Sequence, residues 1–456
     1  MHPSSARRIL MACAVAALAV AALVAPGVAS AKTSTSHCLG DNIIGQGSSL
    51  QKGAQQTLWD KGFNGAPVTS SKFACKTPGE EPTVTYTSDG SGAGMKSWGA
   101  EGSLESEYEP GKFATTGFAD NNAFVGTDEP PSATQITNIE NQESTPTTKT
   151  LLTVPVAQES VAVVVHLPAG CSANSPAAAG RLSLTDKELQ GIYAGTVTTW
   201  GALEAEGGNV ITGTGCGADP IHPIVRQDSS GTTHIFKQFL GQINPGSLTT
   251  SEGSETWQQL SEGSLNTVWP TAAGVTPAGG NGGSALATKV LATEGGIGYI
   301  NLFEGRAKGF APATSTTFWV KLQNGVKGKK TTYSDPSTGA EDTTATAQDA
   351  NCNKVTYVDQ KGTPFPPPAA TAPWDSVTTS VTQKAYALCG LTYDLAFTKY
   401  SLLTGTSAKE TETVKEFLQF VTDKKGGQSQ LAGHDYLALP KGAVTSEAVA
   451  GAASIG

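Results

Sequence analysis

Arg226-Gln227-Asp228-Ser229-Ser230-Gly231-Thr232 follows a strand-like segment and opens an amphipathic helical one, in which Ile235, Phe236, Phe239 and Leu240 share a side. A helix start presents unpaired N–H groups and the positive end of the helix dipole, so it favours an anion. Arg226, four residues before Ser230, adds a forked and permanently charged partner. Strand, hydroxyl-rich turn and helix in succession form the repeating unit of an α/β protein.

Two more turns have the same make-up. Gly45-Gln46-Gly47-Ser48-Ser49-Leu50 leads into residues 51–59, and Asp89-Gly90-Ser91-Gly92-Ala93-Gly94 leads to Met95 and Trp98. In each, a hydroxyl falls at the expected N-cap and glycine permits close backbone approach. Ordinary capping accounts for any one of these turns. The three together predict an oxyanion cage. A helix end contributes about 0.3–1 kcal/mol toward an anion, and a hydrogen bond to a charged group about 1.5–3 kcal/mol. Three turns and Arg226 thus reach about −8 kcal/mol, or micromolar binding, where one turn does not.

A fourth element, Phe124-Val125-Gly126-Thr127-Asp128-Glu129-Pro130, places an aspartate beside this cage. A carboxylate repels a fully ionised ligand. It suits an anion that keeps a proton, because Asp128 accepts a hydrogen bond from that hydroxyl, and an anion without the proton leaves a buried polar contact unmade.

The remaining pattern agrees with an α/β fold of mainly parallel sheets. Pro82-Thr83-Val84-Thr85-Tyr86 alternates like a strand, and Ser160-Val161-Ala162-Val163-Val164-Val165 is a β-branched run suited to burial on both faces. Gly295-Gly296-Ile297-Gly298-Tyr299-Ile300 is a strand after a glycine turn, and residues 182–193 and 409–422 carry helical periodicity. Residues 304–375 differ, rich in Lys, Gly, Thr, Asp and Pro, with a proline run from Pro364 to Pro368 broken by Phe365. They are expected to form a loop-rich excursion, and Lys327, Lys329 and Lys330 a solvated stretch within it.

At 456 residues the chain suits two lobes rather than one core. Arg7 and Arg8, an apolar run over residues 9–24 and Ala29-Ser30-Ala31 read as a secretory leader cleaved after Ala31. Cys13 lies too early in that leader for a lipid anchor. Removing the leader takes the 30 basic residues to 28 against 39 acidic, a net charge of −11. Such a surface argues against nucleic acid or an anionic membrane as partner. Six cysteines then remain, which in an oxidising compartment form up to three disulfides among fifteen connectivities, with neighbour pairing 38–75, 171–216 and 352–389 preferred. No spacing favours a metal.

Here the chain resembles a known family. The three turns and Gly126-Thr127-Asp128, together with LQGIYAGTVTTW at 189–200, GGIGY at 295–299 and HDYLALP at 434–440, are similar in order to the phosphate-binding proteins of high-affinity phosphate ABC importers, class II periplasmic-type solute-binding proteins. The similarity covers about residues 40–300 and 380–440, and Arg-x-Asp-x-Ser-Gly-Thr is its most specific string. It implies a two-lobed α/β fold with hinge crossings near 154–158 and 387–392. Lobe one is then 38–156 plus 390–456, and lobe two 157–389. It further implies phosphate contacts from Ser49, Leu50, Ser91, Asp128, Arg226, Ser230, Gly231 and Thr232, with Asp228 pairing Arg226 from behind. The partners it implies are inorganic phosphate and a membrane permease, for a monomeric, extracytoplasmic protein that has no cofactor. Family members usually carry threonine and phenylalanine where this chain has Ser49 and Leu50, and a second serine where it has Gly92.

Two other readings share the scaffold. A secreted phosphate-ester hydrolase needs a nucleophile, a base and an orienter, and Ser230 has His234 one helical turn away. The strained G-x-S-x-G elbow and a Walker lysine are lacking, so no catalytic residue is assigned. A receptor for another oxyanion is disfavoured by Asp128. Trp59, Trp98, Trp200, Trp257 and Trp269 are read as packing residues.

Overall fold

The computed structural model describes residues 38, 40–64, 70–75, 82–102, 122–142, 150–175, 180–204, 208–312, 316–324, 332–337, 349–352, 354–363, 367–381, 385–402 and 407–456. The leader and its cleavage site, the lysine run at 327–330 and residues 364–366 of the proline run lie outside these. Among the described residues no helix is long and apolar enough to cross a membrane.

Nine strands make the principal sheet: β1 (Ile43–Gly47), β2 (Val84–Thr87), β3 (Phe124–Thr127), β4 (Leu151–His166), β5 (His222–Val225), β6 (Thr276–Pro277), β7 (Gly296–Asn301), β8 (Thr317–Trp319) and β9 (Cys389–Phe397). Their order is β6-β5-β7-β4-β9-β3-β1-β2, with β8 also on β4. β1 lies parallel to β2 and β3 on one wing, and β5 lies parallel to β6 and β7 on the other. The centre is antiparallel, where β4 pairs β7, β8 and β9. The expected mixed sheet with flanking helices forms. β4 is buried on both faces to its penultimate residue, which is why its apolar residues do not alternate, although Thr153 and Gln158-Glu159-Ser160 interrupt them.

Two hydrophobic cores flank this centre. Phe124, Val125, Trp98, Phe397 and Phe417 belong to the first, and Val163, Val165, Phe236, Tyr299 and Trp319 to the second. β4 enters the first core through Ala157 and the second from Val161, and β9 crosses between Cys389 and Leu391. Two antiparallel strands, with one register shift between Thr392 and Tyr393, are therefore the backbone common to both lobes. The traffic is not wholly segregated. Ala370, Trp374 and Val377, from the stretch expected in lobe two, pack in the first core, and Leu50 packs in the second.

The helices pack on these cores. They include α1 (Ser91–Ser97), α2 (Asp186–Ala194), α3 (Gly231–Ile243), α4 (Gly282–Leu291) and α5 (Ala408–Thr422). α2 and α5 begin with capping boxes, Thr185 with Glu188 and Ser407 with Glu410, each satisfying two otherwise unpaired backbone donors. Five tryptophans read as packing residues, Trp59, Trp98, Trp200, Trp257 and Trp269, are all buried. The disulfides are Cys38–Cys75, Cys171–Cys216 and Cys352–Cys389, the neighbour pairing. Closing loops of 37, 45 and 37 residues restricts the unfolded chain by about 4 kcal/mol each in the entropic account. The third bridge fastens the loop-rich excursion to the first residue of β9.

Candidate functional site

In an open α/β sheet, ligands gather beyond the carboxyl ends of the parallel strands. Here β1, β2 and β3 end at Gly47, Thr87 and Thr127, and β5 and β6 end at Val225 and Pro277. The loops and helix starts that follow β1, β2, β3 and β5 carry all the site residues expected from sequence.

Asp128 is the centre of the first lobe's half. Its Oδ1 accepts from Ser48 Oγ at 2.6 Å and from Thr392 Oγ1 at 2.7 Å. Its Oδ2 accepts from Ser91 Oγ at 3.5 Å, and its backbone N donates to Ser91 Oγ at 3.1 Å. Burial pushes the Asp128 carboxyl up to about 6, against the Ser48 and Thr392 hydroxyls and the charge of Arg226, which pull it down.

In the first turn a hydroxyl caps, as expected. Ser48, not Ser49, accepts from the backbone N–H groups of Leu50 and Gln51, at 3.0 and 3.3 Å. The segment then winds as a π-helix over Ala54–Trp59. Ser49 faces the other lobe, where its Oγ accepts from Gly283 N at 3.3 Å. The second turn differs. Gly90 is the N-cap of α1, with φ +114°, and Ser91 is the first helical residue. A side chain at Gly90 would stand 2.8 Å from Asp228 Oδ2, so the backbone here must be bare and left-handed.

The second lobe supplies Arg226, whose Nε donates to Asp228 Oδ1 at 2.7 Å and whose Nη2 donates to Oδ2. Both residues are buried. Burial works against the Arg226 charge, yet the Asp228 carboxylate raises its pKa above the ordinary value. Two of the fork's nitrogens are thereby fixed in direction. Ser230 caps α3, its side chain accepting from Thr233 N. Gly231 and Thr232 begin that helix, both buried.

The halves meet closely. A Cβ on Gly231 would lie 2.5 Å from Asp128 Cβ and 2.6 Å from Ser91 Oγ, and Gly92 N donates to Ser229 O at 3.2 Å. Segments far apart in the sequence therefore share one enclosure: hydroxyls, helix-start N–H groups, a guanidinium and the Asp128 carboxylate, whose pKa is raised. Such a set can hold a tetrahedral anion and accept a hydrogen bond from a hydroxyl that the anion carries. A cleft of about 400 Å³ opens beside it, lined in part by Gly92, Lys96, Glu129, Asp228 and Ser229.

Sequence reasoning missed three contributors. Ser48 was read only as part of its turn. Thr392 sits in a crossing strand, and no local motif links it to Asp128. The third is the start of α4, where Gly282 N donates to the Asp228 carboxylate at 3.4 Å. The glycine-rich Gly279-Gly280-Asn281-Gly282-Gly283 was a legible signal for that fourth turn.

Other chemistry is occupied elsewhere. His234 Nδ1 faces Ser261 O at 3.0 Å, and burial holds the imidazole down at about 4. Cys171, Cys216 and Asp219 gather within ligand reach of one another, but the two sulfurs are joined as a disulfide.

Comparison with known proteins follows the same line. A family model described as a PBP superfamily domain matches residues 32–425. A phosphate-binding protein from an unknown prokaryotic organism is 28% identical over 219 residues, 47% of this chain and 50% of that protein. An alkaline phosphatase L of Pseudomonas aeruginosa is 29% identical over 189 residues, 41% and 43% of the two chains. The chain thus spans half or less of the length of these curated relatives. Among solved structures, a phosphate-binding protein of Stenotrophomonas maltophilia superposes with TM-score 0.56 at 18% identity, over 90% of this chain and 93% of that one. A high-affinity periplasmic phosphate-binding protein, PfluDING, bound with phosphate, gives TM-score 0.54 at 19% identity, over 91% and 92%.

Proposed function

This chain belongs to the PBP superfamily, and on that premise we propose that it is an extracytoplasmic receptor that captures inorganic phosphate between its lobes and delivers it to the permease of an ABC importer. The observation that carries the reading is the meeting of Ser91, Asp128 and Gly231, three segments in contact at the mouths of parallel strands. Phosphate contacts are assigned to Ser49, the Leu50 backbone, Ser91, Asp128, Arg226, Ser230, the Gly231 backbone and Thr232. Asp228 holds the Arg226 fork.

Hydrogen phosphate keeps a proton at neutral pH, and Asp128 accepts a hydrogen bond from that P–OH group. Sulfate offers none. The lobes close by bending at the two crossing strands, near residues 157–161 of β4 and 389–391 of β9, with lobe one formed by the segments on either side of lobe two. Closure sequesters the ion, and the closed form docks on the permease. The acidic surface fits a monomer that does not bind nucleic acid, and three disulfides fit secretion behind the leader.

We read the protein as a binder and not a hydrolase. The Ser230 hydroxyl caps its own helix and the His234 ring is turned to Ser261. The partial likeness to an alkaline phosphatase keeps the assay necessary. Incubation with a chromogenic phosphate ester should give no turnover, while calorimetry with phosphate gives saturable binding. Metal-independent turnover abolished by Ser230→Ala would replace this reading with the enzyme.

A further inference from the structure

Glu129 follows Asp128 at the end of β3, yet its side chain reaches the opposite lobe. One carboxylate oxygen accepts from Gly263 N at 2.8 Å, and the other accepts from Asn266 Nδ2 at 3.4 Å. Asn266 is fully buried. Its Oδ1 accepts from Ser230 N at 2.9 Å, and its Nδ2 donates to Ser230 O at 3.1 Å. Both backbone groups of the residue that caps α3 are therefore held by one amide, and a carboxylate from the first lobe bears on that amide. The Glu129 backbone nitrogen also lies 2.7 Å from where a Gly231 Cβ would stand. These contacts cross the junction between lobes, so opening breaks them.

We propose that Glu129 is a positioning residue that latches the closed lobes and, through Asn266, sets the Ser230 helix end against the anion. The proposal rests on the phosphate-receptor reading, and it adds a group that no motif marks and that does not itself touch the ligand.

The charges around Glu129 make the latch sensitive to pH. Burial pushes its carboxyl up to about 8; the Gly263 N–H lowers it, Glu262 and Glu101 raise it, and Lys237 lowers it. Lys96 and Asp228 line the same cleft, and Asp375 the adjoining one. A carboxyl whose pKa is higher in the closed form takes up a proton on closing. Closure is then unimpeded in acid and grows weaker as pH rises toward about 8.

The test is stopped-flow tryptophan fluorescence with inorganic phosphate, from pH 6.5 to 9, on the unsubstituted protein, Glu129→Gln, Glu129→Ala and Asn266→Ala, each checked for its thermal unfolding midpoint. Glu129→Ala should release phosphate at least about tenfold faster with little change in association, since the hydrogen bonds to Gly263 and Asn266 across the junction are lost. Glu129→Gln keeps the shape without the titrating proton. It should bind within about threefold of the parent at pH 6.5 and show a flatter decline of affinity toward pH 9. A release rate and pH profile unchanged in both Glu129 variants would overturn the latch while leaving the receptor reading intact. Absence of phosphate binding by the unsubstituted protein would overturn the receptor reading and the latch with it.

Discussion

Thr392 Oγ1 donates to Asp128 Oδ1 at 2.7 Å across a sequence separation of 264 residues. Thr392 belongs to β9, where the register with β4 shifts between Thr392 and Tyr393. A crossing strand thus holds the Asp128 carboxylate in place. Thr392→Val removes the hydroxyl at nearly constant volume. It should weaken phosphate binding by about tenfold, the worth of one hydrogen bond to a charged group, with the fold retained. Isothermal titration of folded variant and parent checks it, and equal affinities would separate the strand from the site.

Arg226 is held by Asp228 through Nε and Nη2. Arg226→Ala should cost a few kcal/mol of phosphate affinity, about 3–5, because it removes a charge and leaves Asp228 buried without its counter-ion. Arg226→Lys should restore only part of this, since an ammonium lacks the planar fork. Calorimetry on both variants decides, and full recovery with lysine would show that charge alone matters.

Gly231 has no room for a methyl group, with Asp128 Cβ 2.5 Å away and the Glu129 backbone 2.7 Å away. Both neighbours belong to the opposite lobe. Gly231→Ala should therefore leave each lobe folded and block their closure. We expect a thermal midpoint within about 3 °C of the parent in the absence of phosphate, no further rise when phosphate is added, and a larger radius of gyration in phosphate by small-angle scattering. A variant that still compacts with phosphate would contradict the closed geometry.

Asp128 sits at about 6 because burial disfavours its charge. A carboxyl raised in this way carries its proton below that value when no anion is present, and a protonated Asp128 accepts poorly from a phosphate hydroxyl. Phosphate affinity should thus fall as pH drops through about 6. Asp128→Asn removes the titrating group and should flatten that acid limb while lowering affinity throughout. Affinity measured from pH 5 to 7 in parallel for the two proteins tests this, and identical slopes would assign the limb to the ligand alone.

Much of the fold was legible because the physics behind it is local. Ser160-Val161-Ala162-Val163-Val164-Val165 reads as a strand buried on both faces, and residues 182–193 as a helix, from neighbours alone. The turns that meet between the lobes were legible for a similar reason, as each carries its own glycine and hydroxyl. What escaped depends on distant segments. The exchange of roles between Ser48 and Ser49 is set by where Asp128 and Gly283 stand, since one hydroxyl meets the carboxylate and the other the opposing helix end. The placement of Gly90, not Ser91, at the start of α1 is imposed by Asp228 pressing from the other lobe. Gly90 itself is the one local trace of these pressures, and it does not name the residue that presses on it. The return of Trp374 to the first core is likewise a tertiary event.

The central claim is that these groups surround one tetrahedral ion that still carries a proton. Titrating the purified protein with phosphate and with sulfate at pH 7.5, followed by tryptophan fluorescence, tests it most directly. We expect saturable phosphate binding in the micromolar range or tighter, about −8 kcal/mol or better, and sulfate weaker by at least about a hundredfold, as an unmade buried contact requires. Equal affinity for the two ions, or no response to phosphate, would contradict it.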